Sequence, residues 1–241
     1  PTLAGTNDCI YAYWGQDTNA APSTTNGATW DDGFRGVWHL NGTNATHRDA
    51  TTNANAATPQ GGLATGAVGM VDGGVHLDGS SGYLTVPHHA SLALTDDFTA
   101  EVWFQRDVDG LWDGLVSKLS DTYTKGWNLN FDNNNKLFAA YVPAAYRYSD
   151  GGSRQNDFAW HYFTLRVQNG YANLFLDGVQ QAVNSAVTIV ESGKPLLFGR
   201  FDADVNDHYL QGTLDEIRLS AVPRASNWLW ACWMNQGSNS A

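Results

Sequence analysis

Tyr146 and Tyr148 stand two residues apart in YVPAAYRYSDGGSR, residues 141–154, with Arg147 between them and Arg154 beyond. In an alternating segment two such tyrosines share a face. Flat aromatic faces stack on sugar rings, and a guanidinium offers paired N–H donors to a carboxylate or a hydroxyl group. The competing reading is a solvated hairpin whose tyrosines pack on their own scaffold. Nearby segments add the same residue types. GLWDG at 110–114 carries Trp112, DTYTKGW at 121–127 carries Tyr123, and FGRFDADVNDHYLQG at 198–212 adds Arg200, His208 and Tyr209. Together they offer stacking and hydrogen bonding to a glycan, an acidic polysaccharide above all.

Residues for bond breaking are harder to find. Of 24 acidic residues only Glu101, Glu191 and Glu216 are Glu. Glu101 shares its face with Thr99, Trp103 and Gln105, Glu191 sits in a turn-like VESGK, and Glu216 has Leu214 and Arg218 on its face. The paired carboxylates of a retaining glycosidase are therefore missing from any one strand. Asp pairs assembled from distant strands are invisible at this level. Lyase chemistry needs a Tyr or His base beside an Arg, and His88, His89, His161 or the His208–Tyr209 pair are the available bases. There is no Gly-x-Ser-x-Gly, His-Glu-x-x-His, phosphate loop or Cys-x-x-Cys motif. No residue is assigned a catalytic role.

Holding loop side chains in place takes a rigid scaffold, and the alternation of the sequence predicts an all-β one. Phe98, Ala100, Val102 and Phe104 alternate with Thr99, Glu101, Trp103 and Gln105, the period-two signal of half-buried antiparallel strands. Similar runs are expected as strands at 10–14, 36–40, 115–119, 127–131, 136–141, 161–167, 172–176, 195–201 and 213–219. Asp177–Gly178 is a strong hairpin signal. Residues 16–33 and 41–62 read as polar connections, and Ser226–Met234 suits either a short helix or a strand. The chain of 241 residues can bury one sizeable core. Its net charge of −11 argues against nucleic acid or an anionic membrane surface as partner. No run of 18 apolar residues exists, so no membrane insertion is expected. The opening at Pro1 reads as a mature chain or an excised piece. Cys9 in CIYAYWG and Cys232 in WLWACWMNQ are either independent buried thiols or a disulfide between terminal strands. The disulfide is the favoured reading; on the chain-entropy model it adds roughly 4–5 kcal/mol and points to an oxidising compartment.

The order LDGSSGYLTVPHHASL, DFTAEVWFQRD, GLVSKLS, WHYFTLRV, LFLDGVQ and GTLDEIRLS resembles the laminin-G-like, pentraxin-like branch of the concanavalin A-type jelly rolls over roughly residues 36–220. The resemblance implies a two-sheet antiparallel β-sandwich with a concave face. It also implies secretion or surface display on a larger bacterial protein, other domains of which would be partners. Residues 1–35 would then be an N-terminal strand and connection, the remnant of an upstream β-domain, and 36–241 the jelly roll with its closing segment. The implied function is a carbohydrate-binding or adhesive module. A polysaccharide hydrolase or lyase and a structural, protein-adhesion domain are the alternatives. The family commonly holds a structural Ca2+ between an Asp-x-x-x-Asn-x-Asn loop and the Asp of an Asp-Glu pair. By that resemblance the ligands are Asp49, Asn53, Asn55 and Asp215, oxygen donors of the kind a hard cation needs. Asp215 and Glu216, adjacent in one strand, are expected on opposite faces.

Overall fold

The computed structural model describes residues 27, 29–43, 46–120, 125–142, 147–154, 157–184, 187–202 and 208–237. The alternating runs become strands. In chain order these are β1 (Phe34–Trp38), β2 (Thr58–Gln60), β3 (Leu63–Val68), β4 (Gly73–Asp78), β5 (Tyr83–Val86) and β6 (Phe98–Arg106). Next come β7 (Asp113–Ser117), β8 (Gly126–Phe131), β9 (Lys136–Val142) and β10 (Arg147–Arg154). β11 (His161–Gln168), β12 (Tyr171–Leu176), β13 (Val179–Asn184), β14 (Leu196–Phe198) and β15 (Gln211–Ser220) follow, then helix α1 (Ser226–Gly237).

They make two antiparallel sheets. The eight-stranded sheet runs β13–β12–β11–β6–β15–β4–β3, with β1 also on β15; the seven-stranded one runs β10–β9–β8–β7–β14–β5–β2. β15 is the keystone of the larger sheet. β6 lines one flank, and the other is shared end to end by β4, opposite Gln211–Leu214, and β1, opposite Ile217–Ser220. The core lies between the sheets, where Phe98, Phe104, Phe163 and Ile217 meet Trp127 and Phe198. The Phe98 and Trp127 rings sit 5.2 Å apart, close enough to add to the area term that drives burial. The β12–β13 turn is tight because Asp177 and Gly178 both take positive φ, 52° and 74°. Gly178 is also required for space, since a Cβ there would lie 2.8 Å from Trp230 Cα.

Three of the β6 side chains that point away from the core are also buried: Thr99, Glu101 and Trp103 are at most 1% exposed. Helix α1 lies against that outer face, where Trp103 Nε1 donates to Gln236 Oε1 at 2.7 Å and Arg166 Nη1 to Ser226 Oγ at 3.2 Å. The undecided segment at 226 is therefore helical. Three other expectations change. The polar connection 41–62 ends in β2, and the 141–154 loop is largely the edge strand β10, whose Ser-Asp-Gly-Gly run hides its pairing with β9. Asp215 and Glu216 do not take opposite faces. Glu216 sits at φ 47° in a bulge, where the register with β6 skips, and lands beside Arg218. The expected strand at 10–14 lies outside the described residues. β1 begins at Phe34, two residues before the expected start of the jelly roll.

Candidate functional site

Trp112 is placed by a buried ion pair. Arg106 ends β6 and Asp113 opens β7; Arg106 Nε and Nη2 reach Asp113 Oδ2 at 2.8 and 2.6 Å. Arg106 Nη1 and the Gly110 amide both donate to Asn135 Oδ1, at 3.1 and 2.6 Å, and the guanidinium lies 4.4 Å above the Phe131 ring. This network fixes the 107–112 loop at both ends. Burial pushes the Asp113 carboxyl up to about 6, although Arg106 and His208 pull the other way.

The second wall comes from the β14–β15 connection. Arg200 forms a backbone bridge with Tyr209, and its guanidinium lies 4.9 Å from the Tyr83 ring and 5.4 Å from the Tyr209 ring. That cation stiffens the tyrosine pair by attraction to the ring faces. The His208 carbonyl accepts from the Gly114 amide at 3.2 Å, which seats its ring edge-on to Trp112 at 6.0 Å. Phe201 supports the imidazole from 5.2 Å. Gly79, Gly110, Leu111, Trp112, His208 and Tyr209 line a hollow of about 320 Å3. An indole, an imidazole and a phenol thus surround one opening, a set that can stack on a ring and hydrogen-bond its hydroxyls.

Of the residues singled out in the sequence, Trp112, His208 and Tyr209 converge. Arg147, Tyr148 and Arg154 lie on β10, at the edge of the same sheet and three strands from β7. At ordinary strand spacing that is about 14 Å away. Tyr123 and Tyr146 lie outside the described residues. Tyr83, Asp113 and Arg106 were missed as site residues. The only signal for Asp113 was its place beside Trp112 in GLWDG.

The four residues that the resemblance assigns to Ca2+ are held by hydrogen bonds in two places. Asp49 Oδ1 accepts from the Val37 and Thr51 amides at 3.0 and 2.9 Å, and Oδ2 from Thr51 Oγ1 and the Asn55 amide at 3.0 and 2.9 Å. Asn53 and Asn55 turn their Nδ2 groups to the Arg35 carbonyl at 3.2 and 3.4 Å. Asp215 is tied elsewhere, to the amides of Val71 and Glu216, both at 2.7 Å. The loop is pinned to β1 by hydrogen bonds from the Val37 amide to Asp49 and from the two Asn side chains to the Arg35 carbonyl. Among the described residues no three His, Cys, Asp or Glu side chains cluster as metal ligands.

Two glutamates share one cation, Arg218, across strands rather than along one. Glu101 is level with Arg218 in the β6–β15 register, and Arg218 Nη2 reaches Glu216 Oε2 at 2.6 Å, while His39 pairs with the other Glu216 oxygen. Burial drives Glu101 up and would do the same to Glu216, but His39 and Arg218 hold Glu216 below the usual range. Glu101 and the neighbouring Tyr162 are each 1% exposed, so these two groups are shut away from solvent. Cys232 belongs to it: its Sγ lies 3.9 Å from Arg218 Nη1, and burial raises its thiol to about 11. It makes no disulfide among the described residues, and Cys9, its expected partner, lies outside them.

The buried carboxyls set a pH dependence. Burial lifts Asp215 to about 7 and Asp113 to about 6. A folded-state value above the unfolded one means stability is full below about pH 4 and is lost as pH climbs to the folded value. His161 acts in the same sense. Burial would lower it, but Asp177 at 2.7 Å and Asp157 at 2.9 Å raise it, so its contribution is lost above the usual histidine range. Asp31, Asp157 and Glu216 are depressed and lose theirs only in acid. Melting temperature should therefore fall from pH 5 to pH 8 in a thermal-shift series. A flat profile would show that Asp215 ionises without penalty.

Residues 78–228 match the profile of the concanavalin A-like lectin/glucanases superfamily. The chain belongs to that superfamily. Among curated proteins no sequence matches it. The lectin/glucanase fold recurs in domain 4 of AbnA, a GH43 extracellular arabinanase from Geobacillus stearothermophilus, solved in complex with arabinotriose. That match has a TM-score of 0.69 at 15% identity and covers 82% of this chain and 97% of the other. The binding domain of Paraclostridial Mosquitocidal Protein 1 gives 0.68 at 13%, and that of botulinum neurotoxin DC in complex with SialylT gives 0.68 at 11%. Each covers 85% of this chain, which spans about half, 52%, of either toxin domain. At these identities the likeness is one of fold. No described helix is long and apolar enough to cross a membrane.

Proposed function

We propose that this domain is a carbohydrate-binding module that takes its glycan in the Trp112–His208–Tyr209 hollow. The convergence of those three side chains on one opening, braced by the Arg106–Asp113 and Arg200–tyrosine contacts, carries the reading. Membership of a lectin-containing superfamily supports it, as do the arabinotriose and SialylT complexes of structural neighbours. Trp112 would stack on a pyranose or furanose face, while His208 and the Tyr209 hydroxyl would meet ring hydroxyls. β10 would extend the same sheet toward a longer chain through Arg147, Tyr148 and Arg154. Export and attachment to a larger protein belong to the same proposal, since such modules act by holding a parent protein on its polymer.

Affinity electrophoresis in gels cast with neutral and acidic polysaccharides tests it. Trp112→Ala should remain folded, because its loop is fixed by Asn135 and Asp113 rather than by the indole. It should lose about 2 kcal/mol of binding, roughly a thirtyfold drop. Retention equal to wild type would remove the site from this hollow. Scoring the same incubations for released product separates a hydrolase or lyase from a binder.

A further inference from the structure

Helix α1 turns an uncharged face to solvent. Its sequence, SNWLWACWMNQG, contains no Asp, Glu, Lys or Arg, and Trp228, Trp230 and Met234 are exposed on it. Val179, exposed as well, follows Gly178, whose backbone lies against the Trp230 Cα. Beside Met234 the surface drops into a groove of about 230 Å3 between the helix and the eight-stranded sheet, lined by Met70, Trp103, Trp160, Trp233, Met234 and Gly237. Aromatic and thioether side chains gathered around one groove mark a contact surface, because a patch of this kind is costly to leave in water.

The point at which the described chain enters indicates what covers it. The Arg218 guanidinium lies 5.4 Å from the Trp30 ring, and its Nη1 lies 3.9 Å from the Sγ of Cys232, in the middle of α1. Asp31 pairs with Arg224, two residues ahead of the helix, at 3.2 Å. The chain before Trp30 therefore leaves from the flank of α1. Residues 1–26 lie outside the described part and contain one aromatic run, CIYAYW at 9–14, which also lacks charge. Two uncharged apolar surfaces gain by leaving water together and strand no ion in doing so. The lengths agree. The 12 residues of α1 make a rod about 18 Å long, and six residues in extended form cover about 20 Å. Trp14 and Trp30 stand 16 positions apart, a reach of at most about 55 Å, which is ample for either direction along the helix.

We propose that α1 and its groove are the docking surface for the chain's own residues 9–14, laid along the helix over Trp230 and Met234. The test is hydrogen exchange of the full chain, read by mass spectrometry. Amides of residues 9–14 should exchange on the order of a hundredfold more slowly than in an unstructured peptide. Trp230→Asp and Met234→Asp, both at exposed positions, should each return them to within about threefold of the unprotected rate, with the protection of β6 intact. Ile10→Asp combined with Trp14→Asp probes the same contact from the other side. It should speed exchange in α1 at least about threefold and raise binding of an apolar dye, again with β6 unaltered. Unprotected residues 9–14 in the wild type overturn the proposal. So does protection that survives both helix variants, since the segment would then rest elsewhere. Sedimentation at low and high protein concentration closes the remaining route: protection that appears only as a dimer forms would give the surface to a second copy of the chain, and overturns the proposal as well.

Discussion

Replacing Arg218 by Met is expected to destabilise the protein by about 3–5 kcal/mol at pH 7, because it strips the counter-charge from buried carboxylates. Arg218 is the cation between Glu216, at 2.6 Å, and Glu101, level with it in the neighbouring strand. It also lies 5.4 Å from the Trp30 ring, so the shape as well as the charge of that end of the sheet depends on it. In Arg218→Met, Glu216 keeps His39 and a long hydrogen bond from Gln236 Nε2 at 3.5 Å, and Glu101 loses the charge that offsets its burial. The loss should shrink on acidification, as Glu101 and then Glu216 take up protons. Adding Glu101→Gln to the variant should recover part of it at pH 7, a coupling that a double-mutant cycle isolates. Urea unfolding at pH 7 and pH 5 measures both effects. A cost below 1 kcal/mol at pH 7 would mean that water reaches the cluster and screens it.

Asp49→Ala should be nearly as damaging, by about 3 kcal/mol or more. Its carboxylate accepts four hydrogen bonds inside the fold, and removing it orphans the buried amides of Val37, Thr51 and Asn55 together. Asp49→Asn keeps one good acceptor and should fall between. The same geometry predicts that a chelator such as EDTA leaves the melting temperature of the wild-type domain unchanged, since the loop is held by amides. A drop of several degrees in chelator would instead show that a cation displaces those donors, with the ligand set first expected from the family resemblance.

How much of this was legible in the residues depends on the range of the interaction involved. The core strand Phe98–Phe104 announces itself, because alternation is a local consequence of the pleat and of one dry face. Asp177–Gly178 does the same, because only certain residues accept positive φ at both turn positions. The bulge at Glu216 has no such mark. A non-glycine residue at φ 47° is held there by His39, from a distant part of the chain, as well as by Arg218 two residues on. β10 was hidden by composition, as its Gly-Gly pair weakens strand propensity and an edge position tolerates it. Helix α1 was ambiguous for a related reason. Trp228 and Trp230 remain 40% and 50% exposed, so its apolar residues do not sort onto one face, and the sheet beneath decides its form. Trp112, His208 and Tyr209 were named as candidates from residue type alone. That they share one hollow, and that Glu101 comes level with Arg218, follows from strand order, which no short window of sequence contains.

The position of β15 has a consequence for how the chain reaches this state. The strand at the centre of the eight-stranded sheet is made of residues 211–220, yet it must slot between β6 and the pair β4 and β1, all synthesised long before it. Until those residues emerge, three strands present unpaired backbone edges, and β1 has no partner at all among the other described strands. Such contacts between distant parts of a chain form slowly and leave sticky intermediates in the interval. A ribosome stalled, or a gene cut, anywhere before residue 211 would therefore release not a smaller sandwich but a half-sheet split down its middle. Soluble expression of this domain should depend sharply on whether that one strand is retained.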